Sequence, residues 1–196
     1  TIKYGKADAG TTADGAAAST QAPAAEGATV QGVTVTSDTL EARQKEFDKL
    51  WQTHCASTNS EERVTLSAAL TAFEKPEQIK QALAKITTKD VRLQDAMYWV
   101  AYSFMNRYAR ADTWQWLKDN WAWLKENIGD DLSFYRLPLY AARVQSDSKF
   151  LPGYKAFFEP KREPAMNRSI DQGIETIQWQ SAWRERDLEA VKKYFS

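Results

Sequence analysis

The chain has one cysteine, Cys55, and one histidine, His54, among 196 residues. A single thiol excludes an intrachain disulfide and suits a reducing compartment, so the cytoplasm is the expected location. A single histidine excludes the two imidazoles, one helical turn apart, of a HExxH zinc helix. Net charge is absent too, because 26 basic residues balance 26 acidic ones. That balance removes the electrostatic case for nucleic acid or an anionic membrane as partner. No segment approaches the roughly 18 consecutive apolar residues of a membrane span. Phosphate-binding glycine loops and the GxSxG nucleophile turn are missing as well.

What is present is a chain that is 43% hydrophobic and 27% charged, the composition of a globular domain of ordinary size. It opens on Thr1 rather than Met, with nothing like a signal peptide after it, which favours a fragment of a longer polypeptide. Residues 1–38 hold five of the eight glycines, ten alanines and one aromatic, Tyr4. Such a stretch cannot bury enough apolar surface to offset its ordering entropy, and it reads as a flexible linker or insertion. Within it, the alternating valines of Thr29–Thr36 suit a short strand.

From Thr39 onward the pattern is helical. Phe47, Leu50, Trp51 and His54 repeat at i, i+3, i+4, i+7. Asn59 with Glu62 forms a capping-box signature for a helix through Phe73, and Pro76 opens another with Ile79, Leu83 and Ile86 inward. Asp95 is a candidate cap for a helix reaching Tyr108, and Asp112 with Gln115 for the next. A shorter helix is expected over Leu132–Val144, confined by Pro138 to its later half. Pro152 begins a segment ending at Phe157 and Phe158. Pro164 opens the longest helix, striped by Met166, Ile170, Ile174 and Ile177, and Asp187 is a candidate cap for a last helix. Several helices joined by short loops predict an all-α fold of antiparallel neighbours.

The segment Asn106–Asn127 is the most distinctive. It packs four of the eight tryptophans into ten residues. Trp114, Leu117, Trp121 and Leu124 share one helical face, while Trp116 and Trp123 mark a second, which predicts an inner helix covered on more than one side. The helical spacing assigns most tryptophans to packing. His54 is expected at the first helix interface and Cys55 as a buried structural thiol. Arg107, Arg110, Arg136 and Arg143 cluster around this apolar segment. They read either as snorkelling or ion-paired surface groups, or as a basic wall that captures a carboxylate.

Three pieces carry a family resemblance. Leu93-Gln-Asp-Ala-Met-Tyr-Trp99, the Asn106–Asn127 block, and Tyr154-Lys-Ala-Phe-Phe-Glu-Pro160 followed by Ala165-Met-Asn-Arg-Ser-Ile-Asp-Gln-Gly-Ile174 together resemble the C-terminal helical domain of aminopeptidase N-type zinc metallopeptidases. That superfamily includes the endoplasmic reticulum aminopeptidases, and the likeness is strongest to the Gram-positive bacterial type. It covers about residues 40–196. The resemblance implies an all-α superhelical array of antiparallel HEAT-like helix pairs over residues 39–196, forming a bowl over a catalytic domain of the same polypeptide. That catalytic domain carries the GxMEN and HExxH motifs and the zinc. This chain has neither motif, so the resemblance implies no catalytic residue, no metal ligand and no cofactor here, with a peptide substrate as the other partner. It further implies a substrate-facing arginine. Where related sequences read Pro-Arg-Tyr, this chain has Pro138-Leu139-Tyr140, which leaves Arg136, one helical turn earlier, with Arg107 and Arg143, as the candidates. Two other readings are a free-standing α-solenoid that binds a protein or peptide, and a carbohydrate-binding module built on exposed tryptophans.

Overall fold

The computed structural model describes residues 37–196; the reading of residues 1–36, including the strand at Thr29–Thr36, lies outside them. Nine α-helices and two single-turn 3-10 segments, with no strand, make up the described residues. The helices are α1 (Ser37–Ala56), α2 (Ser60–Leu70), α3 (Pro76–Lys85), α4 (Leu93–Met105), α5 (Arg110–Asp119), α6 (Trp121–Ile128), α7 (Leu137–Ala142), α8 (Phe150–Phe158) and α9 (Pro164–Phe195). A 3-10 turn, Phe134–Arg136, leads into α7, and another, Glu159–Lys161, follows α8. No helix of the described residues is long and apolar enough to cross a membrane.

Each helix packs on a near neighbour in the chain. α1 lies against α2, α2 against α4, α4 against α5, and both α7 and α8 against α9. The most enclosed helix is α4, which also touches α3, α6 and α7 and buries Ala96, Met97, Trp99, Val100, Ser103 and Phe104. That position was expected for the tryptophan-rich segment. The segment is instead two helices, parted at Asn120 (φ −105°, ψ 15°), whose Nδ2 donates to the Trp116 carbonyl at 2.9 Å. A side-chain amide that bonds the preceding turn competes with helix continuation. Leu117 and Leu124 are fully buried, and the four tryptophans are half-buried.

Local signals explain several boundaries. Pro76, Pro138 and Pro164 all sit in first turns, where the missing N–H costs nothing. Asn59 caps α2 by accepting from the Glu61 and Glu62 N–H groups at 2.9 and 3.3 Å. Only half of the expected box forms, because Glu62 accepts from the Ser57 hydroxyl at 2.5 Å instead of reaching back to Asn59. Two other expected caps are absent. Asp95 lies inside the first turn of α4, ion-paired to Arg92 at 2.6 Å. Gln115 reaches forward to Asp119 at 2.8 Å, away from Asp112. The separate last helix expected to start at Asp187 does not form: α9 runs unbroken for 32 residues, with Asp187 paired to Arg186.

Candidate functional site

The segments with the most distinctive sequence meet in space. The Trp114 ring centroid lies 5.1–6.4 Å from those of Phe150, Tyr154, Phe157 and Phe158. Trp121 lies 5.1–5.8 Å from Phe134, Phe157 and Phe158. Edge-to-face, tilted and stacked pairs of this kind add to the area they bury. Tyr154 anchors the arrangement. It is fully buried and donates its hydroxyl to the Pro138 carbonyl at 3.1 Å, tying α8 to α7. That hydroxyl lies where a side chain at position 173 of α9 would go: a Cβ there would stand 2.0 Å from it. Gly173 is therefore required by close approach. Lys161 completes the cluster, its Nζ 3.8 Å from the Phe157 ring centroid and donating to the Phe157 carbonyl at 2.9 Å.

The polar residues of the Asn106 block also hold structure. Asn106 donates from Nδ2 to the Thr71 and Phe73 carbonyls at 2.9 and 2.7 Å and accepts from the Tyr108 N–H at 3.0 Å. One side chain thus satisfies the open C-terminal end of α2 and fixes the α4–α5 turn. Arg110 donates to the Phe104 carbonyl at 3.4 Å.

Arg107, Arg136 and Arg143 are all exposed, and none forms an ion pair among the described residues. Arg107 lies over the Tyr108 ring, guanidinium carbon 4.6 Å from its centroid, and donates to the Tyr108 hydroxyl, which raises its pKa further. Arg136 ends the 3-10 turn before α7, and Arg143 directly follows α7. Seven residues apart, these two fall about two helical turns apart on the same side.

His54 and Cys55 have separate fates. His54 is wholly buried at the α1–α4 contact, stacked on Trp51 at 5.4 Å and edge-on to Trp99 at 5.5 Å. Neither ring nitrogen finds a hydrogen-bond partner among the described residues. Burial, and then Arg63, lower its pKa, which favours the neutral ring. Cys55 is exposed, not buried as expected. Helical neighbours point about 100° apart, so the residue beside an inward His54 turns outward. Its thiol pKa is raised, by partial desolvation first and Asp90 second, so the nucleophilic thiolate is disfavoured. No group of three or more His, Cys, Asp or Glu that could hold a metal occurs among the described residues. With its one imidazole enclosed by two indoles, the described part offers no fit for zinc.

Two exposed features had not been assigned to particular residues from the sequence. Trp179 and Trp183 on α9 are 58% and 54% exposed. On α4, Tyr98 and Met105 face solvent beside the half-buried Tyr102. The signal for the latter was available: the outer positions of α4 carry no charge.

A family model described as the ERAP1-like C-terminal domain matches residues 28–178. Aminopeptidase N of Lactococcus lactis subsp. lactis is 30% identical over 141 residues, covering 71% of this chain and 17% of that protein. Aminopeptidase N of Lactobacillus helveticus is 27% identical over 146 residues, 74% of this chain and 17% of the relative. Aminopeptidase M1 of Arabidopsis thaliana is 21% identical over 147 residues, with shares of 75% and 16%. The chain thus spans about a sixth of the length of these relatives.

Proposed function

Because this chain belongs to the ERAP1-like C-terminal domain family, we propose that it is the C-terminal helical part of a cytoplasmic zinc aminopeptidase. The longer polypeptide removes N-terminal residues from peptides with a zinc-activated water, and this part encloses the reaction chamber and helps position the peptide. The observation that carries the reading is the aminopeptidase N likeness over most of this chain and a sixth of each bacterial relative. The blocks behind the resemblance support it physically, since Trp114 and Trp121 lock onto Tyr154, Phe157 and Phe158 as a rigid wall. In this reading the helices continue the HEAT-like superhelix of such a bowl. Zinc and the general acid and base belong to the remainder of the polypeptide.

Arg107, Arg136 and Arg143 are the groups of this part that face the peptide and hold its carboxylates. They suit the task because each is exposed, charged and free of any ion pair among the described residues. In the whole polypeptide, Arg107→Gln, Arg136→Gln and Arg143→Gln should each raise KM for peptides with a free C-terminus, with little change for C-terminal amides. Equal KM values for both peptide types in every variant would remove the arginines from the substrate path. The enzyme reading itself is tested by the reading frame upstream of Thr1. GxMEN and HExxH motifs there support it, whereas an unrelated sequence would make the chain a helical binding module.

A further inference from the structure

α4 is the most enclosed helix, yet one stripe of it is open, and that stripe is chemically unusual. Gln94, Tyr98, Tyr102 and Met105 fall at i, i+4, i+8 and i+11, which places them on one face. Tyr98 is 48% exposed and Met105 55%, and the Tyr98 and Tyr102 rings stack at 6.2 Å. No exposed or half-buried position of α4 carries a charge. The exposed side of α1, by contrast, carries Glu41, Glu46, Asp48 and Lys49. Tyrosine and methionine without lysine or glutamate is the composition of a contact surface, not of a solvated face.

The ends of the stripe differ in charge. At the Gln94 end α4 meets the C-terminus of α6 in a shallow groove of about 360 Å³, lined by Leu93, Gln94, Glu126, Asp130 and Asp131 among others. Its three carboxylates form no ion pair among the described residues, and no lysine or arginine lines it. The Ser133 N–H, bonded to Asp131 at 2.7 Å, holds that carboxylate below its usual pKa. Past Met105, at the other end, stands Arg107 on Tyr108. From Gln94 to Met105 the helix rises about 16 Å, the reach of roughly five residues of extended peptide.

We infer that the acidic groove and the Tyr98–Tyr102–Met105 stripe bind an extended peptide, with a cationic side chain in the groove and apolar side chains along the stripe. Charge complementarity argues for this occupant and its direction: a positive group belongs beside Glu126, Asp130 and Asp131 at the Gln94 end, and a negative one at the end where Arg107 follows. Calling that peptide the substrate of an aminopeptidase rests on the proposed function; the binding surface does not.

The test uses the 196-residue chain and three hexapeptides: Ala-Lys-Ala-Phe-Leu-Ala, its Glu-for-Lys counterpart, and its Ser-Ser counterpart for Phe-Leu. Calorimetry at low salt should show the first binding about tenfold tighter than either control, a difference of about 1.4 kcal/mol. The Lys preference should disappear in Asp130→Asn/Asp131→Asn and shrink at high salt. The Phe-Leu preference should disappear in Tyr98→Ser/Met105→Ser. All four positions are exposed, so helicity by circular dichroism should be unchanged. Equal binding of the three peptides, unaltered preferences in the variants, or no binding at millimolar peptide would each overturn the inference. Because no catalysis is read, peptide binding by this chain alongside an inactive whole polypeptide would sink the enzyme reading and leave the surface standing.

Discussion

Two aromatic-rich regions of this chain have opposite fates. Around α5, α6 and α8, Trp114 and Trp121 bury most of their surface among five other rings. Along the distal part of α9, Trp179, Trp183, Tyr194 and Phe195 are exposed, the last two by 84% and 82%. Composition does not separate them; opposing elements do. The first set meets α8, while the solvent side of α9 faces no helix of the described residues. An aromatic side chain stabilises in proportion to the contacts and area it gains, so the same residue type counts heavily in one region and little in the other.

The comparison breaks most directly at its centre. Phe158 is fully buried and touches Trp114, Trp121, Tyr154 and Phe157. Phe158→Ala should cost about 3–5 kcal/mol in chemical denaturation; a loss below 1 kcal/mol would mean the cluster is not a packed core. Gly173→Ala comes next, since its Cβ meets the Tyr154 hydroxyl at 2.0 Å. It should cost about 1–3 kcal/mol by overpacking. Tyr154→Phe in the same chain should recover part of that, and strictly additive effects would contradict the close approach. Asn106→Ala, which strips the Thr71 and Phe73 carbonyls of their donor, should lose about 1–3 kcal/mol.

His54 sharpens the comparison through pH. Its folded pKa lies below the unfolded value of about 6.5, so the unfolded chain binds the extra proton. The stability it permits is fully present above about pH 6.5 and declines as pH falls towards the lowered folded value. His54→Phe, which keeps an aromatic between Trp51 and Trp99, should flatten that part of the stability-versus-pH curve. An unchanged slope would assign the acid sensitivity to other groups. The smallest effect is expected on α9, where Trp183→Ser should shift stability by no more than about 0.5 kcal/mol. A larger loss would reveal a partner for that face.

Much of the fold was legible because its signals are local. Ile79 and Leu83 on α3, Ile86 just past its end, and Met166, Ile170 and Ile177 on α9 are buried as their spacing required, with Ile174 of the same stripe half-buried. The prolines of α3, α7 and α9 sit in first turns for a steric reason visible in the sequence. What failed depended on competition between elements. The apolar period runs straight through Asn120, whose backbone leaves the helical region (φ −105°, ψ 15°) while its amide bonds the Trp116 carbonyl. Asp187 has the chemistry of a cap, but α9 continues because nothing stops it. Cysteine usually prefers the interior, yet the angular position of Cys55 beside the inward His54 turns it to the surface. The exposure of Arg107, Arg136 and Arg143 depends on the turns before and after helices, which no periodicity encodes.

The central claim is that this part shapes a site whose chemistry lies elsewhere in the polypeptide. The most direct measurement compares zinc content and hydrolysis of an aminoacyl chromogenic substrate by the 196-residue chain and by the product of the whole reading frame. The account predicts no stoichiometric zinc and no hydrolysis by the chain alone, with both present in the whole polypeptide. Hydrolysis by the chain alone, or an inactive whole polypeptide, would contradict it.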